Sequence, residues 1–437
     1  MSRNEEMKEV LEKSLVNVSD SKKLILLLVV MFGVISFFVT LSFAEPYVAW
    51  QSFLINNIYF IGIGHAALMY SVIFTVTDAY WGRCMKRIAE ALAAFVPIGI
   101  FFFFILFLGG KYFFEWYDHN NVIHSKESWL NYSFFVQRNG ILLIVVGVLS
   151  YFYLKNSVRP DIGYSRTLLP GIFQNSIANH FVKNYSSDDA EMEKGYFKNR
   201  KLAPILGIAY AILSSLIAFD WMMSIDQEWF STMFGVQHLV SNLMAAGATL
   251  IIVVGIIKTR YDLDKYISIN RYHDICKLTF ALGLLWTYMI FSQVIIIWYA
   301  NLPEETPYLM LRLKSKEWSQ LFWFIFFVLF QVPFWGLMSK TACRNIKFSR
   351  IIAIDILIGV WLERYIIIAP SIQENNLAAE SNHVTGTLIE GFHVTNLIPD
   401  VCVGIGMLGI FIYTFLYFLE KIPMLPISDH RFFSEEH

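Results

Sequence analysis

Residues 24–44, LILLLVVMFGVISFFVTLSFA, form a run of 21 residues without a charged side chain. Because a helix rises about 1.5 Å per residue, about 20 apolar residues are enough to cross the hydrocarbon core of a bilayer. A polar, helix-like segment, residues 1–23, precedes the run, and no signal-peptide cleavage site follows it. The run is therefore predicted to be a true membrane span rather than a leader that is removed.

The whole chain has the composition of a membrane protein. Of its 437 residues, 56% are hydrophobic and only 16% are charged, whereas about a quarter of the residues in a soluble domain are charged. This balance excludes an ordinary soluble globular protein and a disordered one. The 34 lysines and arginines are matched by 35 aspartates and glutamates, so the chain has no net positive charge to attract nucleic acid.

Nine further apolar stretches predict an all-α polytopic membrane protein with ten transmembrane helices. Spans 1 to 10 are predicted at residues 24–44, 48–77, 88–110, 134–154, 202–225, 229–257, 278–300, 318–339, 351–370 and 395–420. The chain then divides into an N-terminal segment, spans 1–4, a connection, spans 5–10 and a tail, at residues 1–23, 24–154, 155–201, 202–421 and 422–437.

Lysine and arginine are distributed unequally between the two sides of the predicted membrane. With the N-terminus in the cytoplasm, 27 of them lie in cytoplasmic segments and five on the opposite side, while Arg138 and Arg364 lie within spans. Cytoplasmic loops carry an excess of these residues in membrane proteins. We therefore expect both termini and the 155–201 connection to be cytoplasmic.

A short repeat suggests an internal duplication. Residues 60–65, FIGIGH, lie in span 2, and residues 233–238, MFGVQH, lie in span 6, at an offset of 173 residues. The offset places Gly62 on Gly235 and His65 on His238, so spans 2–5 and spans 6–9 would form two four-helix bundles, with spans 1 and 10 flanking them. Chance similarity between two apolar helices is the alternative.

Ionisable side chains inside a membrane are costly, so each is a functional candidate. The candidates are His65, Glu90, Asp220, His238, Asp355, Glu363, Arg364 and Asp400. Their staggered depths suit stepwise proton transfer or the lining of a quinone-accessible cavity. A static polar network that locks the helices together would have the same pattern.

Four of these residues lie near the outer ends of spans 5, 6 and 9, and we expect them to form one polar cluster: Asp220, His238, Glu363 and Arg364. Neighbours on a helix point about 100° apart, so Glu363 and Arg364 are expected to find partners on other helices. A static ion pair between Arg364 and Asp220 or Glu363 is the alternative to a role in proton exchange.

Metal centres are not expected in this chain. Its four cysteines are far apart and no C-x-x-C-H motif occurs, which argues against a disulfide framework, a four-cysteine zinc site, a thiolate-bound iron–sulfur cluster and an attached c-type haem. Two buried histidines could ligate a b-type haem, but His65 and His238 differ in predicted depth by roughly 10 Å.

Residues 219–235, FDWMMSIDQEWFSTMFG, resemble the NrfD-like family, also called the polysulfide reductase membrane-subunit family. Within it, the chain is most similar to the second such subunit of bacterial alternative complex III, a quinol:cytochrome c oxidoreductase. Supporting stretches are WLERY at 361–365, RIAEA at 87–91, and Asp400 followed by Gly404, Gly406, Gly409, Pro423 and Pro426.

The resemblance implies a subunit of the bacterial cytoplasmic membrane that binds no metal itself. Its partners would be a second NrfD-like subunit, an extracytoplasmic iron–sulfur subunit and c-type cytochrome subunits, which would hold the iron–sulfur clusters and the haem c. Quinol or menaquinol would be the redox molecule reaching the membrane part, with the sister subunit the better candidate for its site. Acidic outer segments, including the 226–229 turn and residues 371–394, would dock the extracytoplasmic partners; solvated loop charge is the alternative.

Two other classes of protein remain open. A secondary transporter also combines internal repeats with charges near the membrane midplane. Such a transporter would have interrupted helices in equivalent spans, whereas Pro97 and Pro333 lie in spans 3 and 8, which are not equivalent in this repeat. The third possibility is a purely structural anchor for a redox module on the outer side.

Overall fold

The computed structural model describes residues 3–185, 189–303, 305–315, 318–380 and 397–429. No strand occurs in these residues, and nine of their helices are long and apolar enough to cross a membrane. They are spans 1 to 8 and span 10, at Asp20–Phe43, Pro46–Val76, Arg83–Phe113, Tyr132–Leu168, Met192–Ile225, Thr232–Arg260, Ile269–Ala300, Trp318–Met338 and Ile398–Lys421. The prediction of an all-α polytopic membrane protein is confirmed.

Span 9 is the 35-residue helix Ile346–Glu380, which is long enough to cross a bilayer. It is not among those nine because three charged residues, Asp355, Glu363 and Arg364, all lie in its central part. A shorter helix, Arg3–Lys13, precedes span 1, and others lie between the spans, at Ser176–Phe181, Thr306–Leu313 and Lys340–Arg344. Span 9 is therefore present as a helix, and it carries two buried charged side chains, Glu363 and Arg364, near its centre.

Spans 2–5 and spans 6–9 each close into a ring of four helices. In the first ring, spans 2 and 4 each pack on spans 3 and 5. In the second ring, spans 6 and 8 each pack on spans 7 and 9 in the same way. Span 2 then packs against spans 6 and 9, which joins the two rings. The two four-helix bundles predicted from the 173-residue offset are present, and we call them bundle 1 and bundle 2.

Spans 1 and 10 pack against each other beside span 2, outside both bundles. Their closest approach is at Gly33 and Gly406, where a Cβ atom on Gly33 would lie 2.4 Å from the Gly406 Cα. Only glycine allows the two backbones to come this close. Much of span 1 is exposed apolar surface, as expected of a helix in contact with lipid.

The two ends of the chain lie on the same face of the helical assembly. Lys23 at the start of span 1 forms an ion pair of 3.0 Å with Glu420 at the end of span 10. The helix Arg3–Lys13 packs on the same end of span 4. We call this end the N-terminal face and the other end the opposite face; ten spans account for both termini sharing one face.

Three spans depart from regular α-helix. Span 3 contains a 3-10 turn at Ala93–Phe95, span 5 ends in a π turn at Ala218–Met222, and span 8 contains a π turn at Phe327–Gln331. Their equivalents in the other bundle, spans 7, 9 and 4, have no such turn within the residues described. These turns are therefore not paired between the two bundles, but Pro160 inside span 4 and Pro333 in span 8 are separated by the repeat offset of 173 residues.

Candidate functional site

Asp220 lies in the π turn that ends span 5, and its side chain is fully buried in bundle 1. A π turn inserts one extra residue into a helical turn and often occurs at functional positions. The carboxylate of Asp220 is bound by Arg138 of span 4, whose Nε and Nη2 donate at 2.6 and 2.8 Å. The amide of Asn139 and the indole of Trp129 donate to it at 2.6 and 3.1 Å.

Arg138 is itself held rigidly in place. Its Nη1 donates to the Trp129 carbonyl at 2.7 Å, and its guanidinium lies 4.2 Å from the centre of a Trp129 ring. A two-pronged arginine–carboxylate contact is the strongest geometry for an ion pair. The charge of Asp220 is therefore neutralised within bundle 1.

Glu363 is the corresponding buried carboxylate of bundle 2. The indole of Trp286 donates to its Oε1 at 2.7 Å, and the amide of Gln237 donates to the same oxygen at 3.0 Å. Its Oε2 accepts hydrogen bonds from the Ser241 hydroxyl and from Arg364 Nη1, the latter at 3.1 Å. Like Asp220, it binds one guanidinium, one amide and one indole.

The structure corrects two expectations about these residues. Asp220 does not join Glu363, Arg364 and His238 in one cluster, because its ion-pair partner in the described residues is Arg138 of bundle 1. Glu363 and Arg364 do contact each other, since the long arginine side chain bends back to its neighbour's carboxylate. The predicted single cluster is therefore two clusters, one in each bundle.

Arg364 connects the Glu363 cluster to the junction between the bundles. Its Nη2 donates to Asn242 Oδ1 at 3.1 Å. A Cβ atom on Gly62 of span 2 would lie 2.5 Å from this same oxygen, so glycine is required for Asn242 to occupy its position. His238 is buried within electrostatic range of Arg364, and its Nδ1 has no hydrogen-bond partner among the described residues.

A cavity of about 80 Å³ lies beside Glu363 towards the opposite face. Tyr308 and Arg312, from the short helix Thr306–Leu313, line it, and the Tyr308 ring stacks on Trp229 at 3.7 Å. This volume accommodates a few water molecules. It is well below the roughly 300–1,000 Å³ of pockets that hold small organic ligands.

Arg312 is 3% exposed and is held by the backbone of span 9. Its Nε donates to the Ile366 carbonyl at 3.0 Å, and its Nη2 donates to the Ile367 carbonyl at 2.8 Å. Proline has no N–H, so Pro370 leaves the Ile366 carbonyl, four residues earlier, without its helical donor. Arg312 supplies that donor and places a positive charge at the cavity next to Glu363.

A third buried cluster lies at the N-terminal face and contains Glu90. The carboxylate of Glu90 accepts hydrogen bonds from Ser71 and Ser157, each at 2.7 Å, and pairs with Arg87. Arg87 also pairs with Asp161, a residue just beyond the predicted end of span 4. Glu90 is therefore bound into a network that reaches the N-terminal face.

The remaining predicted residues lie apart from these clusters. His65 is buried between the Glu90 and Glu363 clusters, 5.6 Å from the Tyr210 ring, and its Nε2 has no partner among the described residues. Asp400 is fully buried against Gln51 and Ser52 of span 2. Asp355 is half-buried on span 9 and makes no hydrogen bond within the described part of the chain.

Four charged residues of these clusters are not among the sequence candidates: Arg87, Arg138, Asp161 and Arg312. Arg138 is visible in the sequence as a charge inside span 4, but its pairing with Asp220 depends on how spans 4 and 5 pack. Arg312 and Asp161 lie in segments predicted to be loops, so their burial was not foreseeable from hydropathy. Within the described residues, no group of three or more His, Cys, Asp or Glu side chains is arranged to hold a metal ion.

Comparison with known proteins gives no assignment. No protein-family model matches the chain, and no curated protein matches it at a significant level.

Proposed function

We propose that this chain is an integral membrane subunit of a quinol-oxidising respiratory complex and that it carries protons rather than electrons. The family suggested by its 219–235 motif is that of alternative complex III, whose acceptor is cytochrome c or a similar extracytoplasmic carrier. Quinol oxidation releases protons, so such a complex needs titratable groups that exchange protons with the aqueous phases.

The observation that carries the proposal is the arrangement of three buried carboxylate clusters at different depths. The Glu90 cluster faces the N-terminal face, while the Asp220 and Glu363 clusters lie in the opposite half of the two bundles. His65 and Tyr210 lie between the Glu90 and Glu363 clusters. Proton transfer requires short steps between such groups, and buried ionisable residues in membranes are costly unless they serve a purpose.

Glu363 is the best candidate for a carboxylate that gains and loses a proton. It lines a cavity that has room for water. Asp220, by contrast, is bound by its guanidinium partner through two hydrogen bonds. We therefore assign the exchange step to Glu363 and a structural role to Asp220.

The same cavity favours proton transfer over quinone binding in this chain. A quinone head needs far more than about 80 Å³, and the lining contains the rigid Trp229–Tyr308 stack. A quinol site in the second NrfD-like subunit is compatible with this geometry.

Orientation and partners follow from the charge pattern and the motif. The N-terminal face would be cytoplasmic, and the opposite face would contact the iron–sulfur and cytochrome subunits. That face exposes the aromatic side chains of Phe230, Trp129 and Tyr117, which are about half exposed. Aromatic side chains are enriched at protein interfaces.

Affinity purification of the tagged chain from native membranes tests this assignment. The proposal predicts co-purification of haem c and iron–sulfur absorbance together with quinol:cytochrome c reductase activity. Recovery of the chain alone, without redox cofactors or that activity, would show that it is not part of a respiratory complex and would favour a transporter or another class of protein.

A further inference from the structure

A second, larger cavity of about 540 Å³ opens at the N-terminal face. It lies among spans 3, 4 and 5, with Met7 of the first helix and the 426–429 segment forming part of its wall. Its volume is within the range of pockets that bind small molecules. Its lining includes four basic side chains, Arg83, Lys86, Arg87 and Arg200, and three acidic ones, Asp161, Glu193 and Asp429, so it offers charged groups to a polar ligand.

Two of the three cations on one side of this cavity are already paired. Arg83 forms ion pairs with Asp78 and Asp429, and Arg87 forms ion pairs with Glu90 and Asp161. Each guanidinium thus has two carboxylate partners. These four carboxylates neutralise the two guanidinium groups in the wall of the cavity, and two of them, Glu90 and Asp429, also lie within electrostatic range of Lys86.

Lys86 is the third cation, and it differs from both arginines. Its side chain is 8% exposed and lines the cavity, yet its ammonium makes no hydrogen bond or ion pair within the described residues. Its recorded contact is with the Tyr153 ring, whose centre is 6.0 Å from Nζ. Its Nζ is not among the fully enclosed polar atoms, so the ammonium reaches the cavity. An ammonium carries three donors, and these are available to a ligand in the cavity.

The surroundings of Lys86 indicate the kind of acceptor. Positions 83, 86 and 87 lie on adjacent turns of one helix face, and the Nε groups of Arg83 and Arg87 are also without partners in the described structure. Arg200 of span 5 lines the same cavity and is exposed. A phosphate group offers several oxygens to such a set of donors, and lysine binds phosphate as a compact point charge.

We propose that this cavity binds a phosphate-bearing anion, whose phosphate accepts hydrogen bonds from Lys86 and whose outer part lies near Arg200. The phosphate belongs either to an anionic lipid headgroup or to a water-soluble organic phosphate. Basic pockets between transmembrane helices at the cytoplasmic side are known to hold anionic headgroups, and the cavity lies where span 3 begins. The inference is independent of the proton-transfer proposal.

Binding measurements on the full chain, purified in its native assembly and stripped of lipid, test the inference. The two probes are phosphatidylglycerol in mixed micelles and glycerol 3-phosphate in solution, each followed by the shift in unfolding temperature and by the dissociation constant. For whichever of the two probes binds, Lys86→Gln should weaken binding by at least about tenfold, since a hydrogen bond to a charged group is lost. Lys86→Arg should restore most of it.

Lys198→Gln is the matched control, because it removes one positive charge from the exposed surface of span 5 without touching the cavity. Binding of phosphatidylglycerol alone identifies a lipid headgroup site, and binding of glycerol 3-phosphate alone identifies a soluble ligand. If neither probe binds, or if Lys86→Gln and Lys198→Gln weaken binding equally, the ammonium is merely hydrated and the inference is wrong.

Discussion

The hydroxyl of Tyr70 donates a hydrogen bond of 3.1 Å to the carbonyl of Leu243, and these two residues are separated by the repeat offset of 173. Each is therefore the counterpart of the other in the two bundles. Equivalent residues meet in this way where a pseudo-two-fold axis passes between two parallel helices. The junction of spans 2 and 6 is thus the centre of the molecule, and the Arg364–Asn242 contact lies beside it.

Gly62→Ala should disturb this junction. The added methyl would lie 2.5 Å from Asn242 Oδ1 and displace the acceptor of Arg364, so we expect a loss of about 1–3 kcal/mol in stability. Thermal unfolding in detergent measures the loss. Gly207→Ala is the control, because its methyl would meet Val72 at an ordinary 3.6 Å. Equal unfolding temperatures for both variants would show that the position of Asn242 does not require a glycine at position 62.

Removal of Arg138 alone should lower the stability of the protein more than removal of both charges of the Arg138–Asp220 ion pair. Arg138→Met leaves the buried carboxylate of Asp220 without its cation, which costs about 3–5 kcal/mol. The double variant Arg138→Met with Asp220→Asn removes both charges and should recover part of that loss. A double variant less stable than Arg138→Met alone would contradict the pairing. Stability is compared by unfolding temperature and by the yield of folded protein.

Arg312 and Pro370 should be energetically coupled through the Ile366 carbonyl. Pro370→Ala restores an N–H that can bond this carbonyl, so Arg312→Met should cost less stability in that background than in the native chain. We expect a coupling free energy of about 0.5–3 kcal/mol from the double-mutant cycle. Strictly additive effects would mean that the arginine does not replace the missing helical donor.

Glu115 should make the stability of the protein depend on pH. Partial desolvation raises the pKa of Glu115, although its side chain remains exposed, and the neighbouring carboxylates Asp226 and Glu228 raise it further, against the lowering effect of the Gln227 hydrogen bond. The folded loop thus holds the proton more tightly than the unfolded chain, and stability falls as pH rises through the raised pKa.

Glu115→Gln abolishes that loss of stability, so its unfolding temperature relative to the native chain should increase between pH 4 and pH 8. Glu45→Gln removes a negative charge from an exposed position on the same face and controls for net charge. A difference between Glu115→Gln and the native chain that does not change with pH would show that Glu115 is fully solvated.

Hydropathy and repeat spacing predict the architecture because membrane burial imposes long apolar helices and the two rings reuse one packing pattern. The pairing of side chains on different helices is harder to predict from the sequence. Asp220 and Glu363 lie at similar depth, which suggested a common cluster, yet each points into its own bundle because spans 4 and 7 supply the nearer donors. Arg312 shows a second limit: its burial depends on a proline-freed carbonyl 54 residues away.

The central claim is that Glu363 exchanges protons with the opposite face, and the number of protons released per electron in proteoliposomes containing the purified complex tests it most directly. Glu363→Gln keeps the acceptor for Trp286 and Gln237 but cannot titrate, so proton release per electron should fall while the complex retains its subunits. Glu45→Gln removes an exposed carboxylate at the same face, outside the three clusters, and should leave the ratio unchanged. An unaltered ratio in a fully assembled Glu363→Gln complex would contradict the account.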